Sequence, residues 1–158
     1  MIKKTSDFLW AAIFAFLTFI AVNQSWVLFQ DNQQWSRDQQ PISDWFTPTQ
    51  LYVPDFASGT DPQIVYDRTI KQAFHVIWSV NVQKILDSGF ANVCTNLGSA
   101  DFTPELKLPP DGITLNKFVG KDCSLKEGKY RIYVTWTVLR QSYSNVRLNL
   151  ISNVFTVS

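Results

Sequence analysis

Histidine occurs once in these 158 residues, at position 75, and cysteine twice, at positions 94 and 123. That scarcity removes most site chemistry before any fold is considered. A structural zinc site takes four ligands, and a thiol redox pair is usually spaced Cys-x-x-Cys; the sequence has neither pattern. It also lacks a Gly-x-Ser-x-Gly nucleophile setting, a Gly-x-Gly-x-x-Gly turn and a Walker A phosphate loop. Asp55, Asp61, Asp67, Asp101 and Asp111 are scattered singly among turn residues, where Asp serves routinely, and no calcium-loop spacing joins them. His75 reads as a surface side chain on the polar side of a strand. No catalytic residue, metal ligand or cofactor is therefore assigned, and a non-enzymatic protein is expected. A carboxylate pair of glycosidase type is assembled in space and leaves no spacing to read, so a hydrolase of cell wall or glycan stays an alternative. Charge of one sign is missing too. The net charge is +1 and Lys and Arg are nowhere clustered, which argues against nucleic acid as a partner, since phosphate neutralisation needs basic patches.

What the chain does have is apolar and aromatic. Hydrophobic residues make up 46% and aromatics 15%, with six Trp and twelve Phe, a composition that suits sheet faces and membrane interfaces. The apolar residues are concentrated at the start. From Phe8 to Val22 only Thr18 is polar, and after Asn23-Gln24-Ser25 the apolar character resumes at Trp26-Val27-Leu28-Phe29. Positions 8–29 form a helix of about 33 Å at 1.5 Å per residue, enough to cross a hydrocarbon core of about 30 Å. Trp10 and Trp26 fall where interface anchors sit. Lys3 and Lys4 precede the run, and Asp31 opens the flank beyond it. The positive-inside rule then keeps residues 1–7 cytoplasmic and exports everything after Phe29, as a signal-anchor. A cleaved signal peptide is the rival reading; Ala21-Val22-Asn23 and Asn23-Gln24-Ser25 serve its cleavage rule poorly, and the apolar run continues past them.

Gln30–Gln40 is polar and without periodicity, and residues 30–48 are expected to be a juxtamembrane linker. An extracytoplasmic β domain is expected over 49–158. Prolines at 41, 48, 54 and 62 forbid a long helix there. Leu51–Val53 is a short edge strand, and Ala57–Pro62 is a turn. Phe74, Val76, Trp78, Val80 and Val82 alternate with more polar neighbours, as do Tyr130, Ile132, Val134, Trp136 and Val138. Val146, Leu148 and Leu150 continue the pattern, and Val154–Val157 closes the chain. Arg140–Asn145 is expected to join two antiparallel strands, and Lys84–Gly89 to make one helical turn. Cys94 and Cys123, both exported, are expected to pair, stapling a segment with little regular periodicity. Tyr133, Arg140, Tyr143 and Arg147 mix rings and guanidinium groups near one strand pair and form a candidate interaction surface.

The alternation and turns favour a β-sandwich. The segment Lys126-Glu-Gly128-Lys-Tyr130-Arg-Ile132-Tyr-Val134 resembles the Gly-x-Tyr start of a late strand in immunoglobulin-like domains, where the Tyr often makes a tyrosine corner. The Cys, Trp, Cys order of antibody domains is not met, because Trp78 precedes both cysteines and Cys123 lies before the Gly-x-Tyr strand. The fold class implied is one N-terminal transmembrane α-helix followed by a mainly-β domain, an immunoglobulin-like antiparallel β-sandwich. In layout the chain resembles small single-pass bacterial or phage and prophage membrane proteins with such an ectodomain. That resemblance implies a binding or structural role at the cell envelope, with the lipid bilayer and an envelope protein or membrane-complex subunit as partners. An accessory subunit of a larger membrane complex is a further alternative. So is a phage lysis accessory protein, although the heptads or lipobox expected of one are missing.

Overall fold

The computed structural model describes residues 2–110, 112–141 and 143–158, with side chains from Trp10 onward. The side chains of Lys3, Lys4 and Phe8, and all of Asp111, lie outside the described residues. The chain divides into two compact units. One holds residues 1–40 with 141–143, and the other holds 41–140 with 144–158.

The first unit is the helix α1, Ile2–Asp38. It is long and apolar enough to span a membrane. Its large apolar side chains are exposed on every side, Trp10 at 68%, Phe14 at 74%, Phe19 at 70% and Trp26 at 60% among them. A helix that is apolar all round needs a non-aqueous environment. Two of its polar interruptions are satisfied internally: Thr18 Oγ1 donates to the Phe14 carbonyl and Ser25 Oγ to the Ala21 carbonyl, both at 2.8 Å. That back-bonding lowers the cost of a hydroxyl in hydrocarbon. Residues 30–38, the first part of the expected linker, continue the helix. No Pro or Gly occurs before position 41 to interrupt it, and Pro41 then disfavours helical geometry in the residue before it.

The second unit is a mostly antiparallel β domain, and it begins earlier than position 49. A 3-10 turn, Ile42–Asp44, leads through the fully buried Trp45 into β1, Phe46–Tyr52. The strands that follow are β2 (Gln63–Ile70), β3 (Phe74–Leu86), β4 (Gly89–Phe102) and the two-residue β5 (Ile113–Thr114). A short helix α2 (Leu115–Val119) precedes β6 (Gly128–Val138), β7 (Val146–Ile151) and β8 (Phe155–Val157). One sheet has the order β1-β2-β5. The other runs β4-β3-β6-β7, with β8 pairing β6 beyond the end of β7.

The inner phases of β3 and β6 are those read from the sequence. Val76, Val80, Val82, Ile132, Val134 and Val138 are all buried, and Trp78 sits opposite Trp136. β1 and β2 supply Phe46, Leu51 and Ile64 to the same core, and Phe46 packs edge-on against Trp136 at 5.4 Å. The Asn153 side chain ties the two sheets together: Val53 N–H donates to its Oδ1 and its Nδ2 donates to the Val53 carbonyl, each at 2.8 Å. Arg140–Asn145 joins antiparallel β6 and β7, as expected.

Two local expectations are corrected. Lys84–Leu86 do not form a helical turn; they extend β3 and pair with residues 89–91 across a two-residue turn at Asp87-Ser88. The turn is closed by Gly89 at φ 136°, a conformation that favours glycine. Residues 95–102, expected to be irregular, belong to the 14-residue β4. Its inward phase carries Asn96, Gly98 and Ala100, while Val93 and Leu97 face out and are 46% and 68% exposed. The apolar signal of this strand is therefore out of phase with its core face.

Candidate functional site

β5 pairs β2 only through Ile113–Ile64 and Thr114–Gln63. The inner-face residues that follow on β2, Tyr66 and Arg68, thus lie beside an uncovered strand edge. Across from them β4 presents the small side chains just described. At this edge lies a cleft of about 430 Å³. Its walls are Tyr66 and Arg68 from β2, Trp78 and Val80 from β3, and Val134 and Trp136 from β6. Phe102 closes one end, and residues 106–109 with Phe118 of α2 form the roof. The volume is within the range of about 300–1,000 Å³ typical of small-molecule sites.

The lining is ordered by ring contacts. Tyr66 stacks on Trp136 at 6.3 Å and 13° between planes, and packs on Phe118 at 5.3 Å. Trp78 lies across Gly98: a Cβ there would stand 2.3 Å from Trp78 Cζ2, so the indole position requires glycine opposite. Arg68 sits in the apolar phase of β2, following Ile64 and Tyr66 at alternate positions. Its guanidinium carbon is 4.3 Å from the Phe102 ring centre and 5.7 Å from that of Tyr66, within cation–π range. Arg68 Nε is buried with no hydrogen-bond partner among the described residues. Burial raises the Tyr66 hydroxyl above its ordinary value of 10.0, opposed by the charge of Arg68 and by its side-chain hydrogen bond to Tyr66. Lys107 and Lys117 add two exposed cations to the lining. No carboxylate is among the described lining residues. Asp67 points to the other face of β2, where Thr49 Oγ1 donates to it at 3.0 Å. Glu105 is fully exposed and held below the usual carboxylate range by a hydrogen bond from Thr103.

The roof is fastened at several points. Cys94 of β4 and Cys123 beyond α2 lie at bonding distance, with Cα atoms 5.6 Å apart, an ordinary disulfide separation. Asn96 Nδ2 donates to the Phe118 carbonyl at 3.3 Å, and Asp61 Oδ1 accepts from Asn116 N–H at 2.8 Å. The disulfide thus brackets the stretch 95–122 that roofs the cleft.

The other residues singled out in the sequence are placed differently. Tyr133 and Arg147 share the outer face of the larger sheet, but Arg147 pairs with Thr137, four residues along β6 from Tyr133 and about 14 Å away at the usual strand rise. Arg140 turns its guanidinium over the Trp45 ring, 5.4 Å from its centre. Tyr143, 52% exposed, falls in the other compact unit. Trp10 and Trp26 project from α1. His75 is on the outer face of β3, its Nδ1 2.7 Å from Asp101 Oδ1 on β4, a cross-strand surface pair with both side chains exposed. Among the described residues no group of three His, Cys, Asp or Glu side chains is placed to hold a metal.

Sequence reasoning passed over Arg68 and the cleft. The available signal was Ile64-x-Tyr66-x-Arg68-x-Ile70, an alternation that puts a cation in the core phase of a strand. Comparison with family models, with curated proteins and with solved structures finds no match to this chain.

Proposed function

We propose that this chain is a single-pass membrane protein of the bacterial cell envelope. Its N-terminus is cytoplasmic, and its immunoglobulin-like β domain stands outside the cytoplasmic membrane as a non-enzymatic binding module. The all-round apolar surface of α1 supports the anchor, and Lys3 and Lys4, ahead of the apolar run that starts at Phe8, support the orientation. The strand order supports the fold. β1-β2-β5 facing β4-β3-β6-β7 corresponds to strands A-B-E facing C′-C-F-G of an immunoglobulin-like sandwich. At the start of β6, the position of strand F, the buried Tyr130 donates its hydroxyl to the Lys126 carbonyl at 2.7 Å, in the manner of a tyrosine corner.

The observation that carries the binding role is the cleft between the sheets: aromatic, partly roofed and, among the described residues, carrying three cations in its lining. Rings and valines that can cover an apolar ligand, with cations to orient it, support ligand capture.

Thiol trapping on intact bacterial cells tests the location on which this role depends. With the β domain exported, a membrane-impermeant maleimide of high mass leaves the chain unshifted on a gel until an impermeant phosphine is added. Two thiols are then labelled from outside. Labelling of both thiols only after lysis, without reductant, overturns the proposal.

A further inference from the structure

The cleft has an apolar interior and cationic polar groups, a division that specifies the chemistry of an occupant. We propose that it binds a single-chain amphiphile with one anionic head group, such as an alkyl carboxylate, placing the chain among Trp78, Phe102 and Trp136 and the head group toward Arg68, Lys107 and Lys117. This rests on the reading of the β domain as a binding module and adds the ligand class.

Three observations carry it. First, the interior walls of the cleft are rings and valines, which gain from covering an alkyl chain and offer a neutral polar ligand few partners. Second, the three charged residues among the described lining residues are all cations. Two described carboxylates nearby are engaged elsewhere, Asp67 with Thr49 on the opposite face of β2 and Glu105 with Thr103. Third, Arg68 hydrogen-bonds the Tyr66 hydroxyl through its guanidinium but keeps Nε as a buried donor with no partner among the described residues. Buried donors are satisfied in nearly all proteins, and a carboxylate or phosphate oxygen is the acceptor a guanidinium matches best. Lys107 and Lys117 are exposed, as expected for groups that meet a head group at the mouth.

The test uses the full chain in phosphatidylcholine nanodiscs, labelled by a decanoate carrying a diazirine and mapped by proteolysis and mass spectrometry. Peptides covering Tyr66, Trp78 and Phe102 should be labelled. Excess plain decanoate should suppress this labelling, whereas decanol or decyltrimethylammonium at the same concentration should not. Competition should strengthen roughly 4-fold per methylene from octanoate to decanoate, the value expected for chain burial. Arg68→Gln should weaken decanoate about 10-fold or more. Should that variant misfold, the double variant Lys107→Gln, Lys117→Gln at exposed positions should weaken decanoate and leave decanol unchanged. Labelling confined to α1 overturns the proposal together with the binding role of the cleft. Cleft labelling that decanol or the cationic amphiphile suppresses as well as decanoate overturns the anionic class and leaves the binding module standing.

Discussion

Removing the Cys94–Cys123 bond by Cys94→Ala with Cys123→Ala should cost the β domain about 3.6 kcal/mol. The sequence separation of 29 sets the size of the loop that the bond closes. Closing a loop of that length removes about 12 cal/mol/K from the unfolded chain, or about 3.6 kcal/mol at 25 °C. Small domains are stable by about 5–15 kcal/mol, so the variant should still fold while losing a large part of its margin. The loss should also be uneven. The bond pins the roof of the cleft, where Asn96–Phe118 and Asp61–Asn116 are the other fastenings identified. Residues 103–122 should therefore gain amide exchange before the centre of β3 or β6 does. The assay is urea unfolding of the full chain in nanodiscs, read by pulse proteolysis, with hydrogen exchange run in parallel. Wild type treated with reductant should match the double variant. A stability change below about 1 kcal/mol, or exchange that rises equally in β6 and in the roof, would refute the reasoning.

Other perturbations probe separate parts of the structure. Asn153→Ala strands the N–H and carbonyl of the fully buried Val53, so a loss of about 2–4 kcal/mol is expected by urea unfolding. Gly98→Val places a side chain where the Trp78 indole lies. It should destabilise the domain by about 1–3 kcal/mol and weaken labelling of the cleft by the photoprobe. Tyr66 has its folded-state value raised by burial, so its contribution is fully present below the unfolded value near 10 and is lost as pH rises through the folded value. Between pH 9 and 11, Tyr66→Phe should therefore lose less stability than wild type, measured by urea midpoints at each pH.

How far the sequence could be read depended on whether hydrophobic phase and burial agree. Where they do, as in Phe74–Val82 and Tyr130–Val138, the inner faces were legible residue by residue, and so was the pairing of Cys94 with Cys123. β4 was not, because its core face carries Asn96, Gly98 and Ala100 while Leu97 faces out. That strand is set by its partner β3 and by the room Trp78 needs, neither of which is local. Residues 30–38 are polar without an apolar stripe, so nothing in their pattern signals a helix; they continue one that the apolar run begins and Pro41 ends. The cleft depends on β5 being two residues long and on β2 holding Arg68 inward, facts of sheet geometry. The separation of Tyr133 from Arg147 along β6, and the turn of Arg140 over Trp45, were likewise not legible, because both follow from strand pairing and packing.

The placement of the β domain relative to the bilayer is tested most directly by proteinase digestion of spheroplasts carrying the full chain with an epitope at each end. The expected result is loss of the C-terminal epitope and survival of a short N-terminal fragment that resists alkaline carbonate extraction. A C-terminal epitope that survives until the membrane is dissolved, or a chain released into the soluble fraction without its helix, would contradict an exported domain tethered by α1.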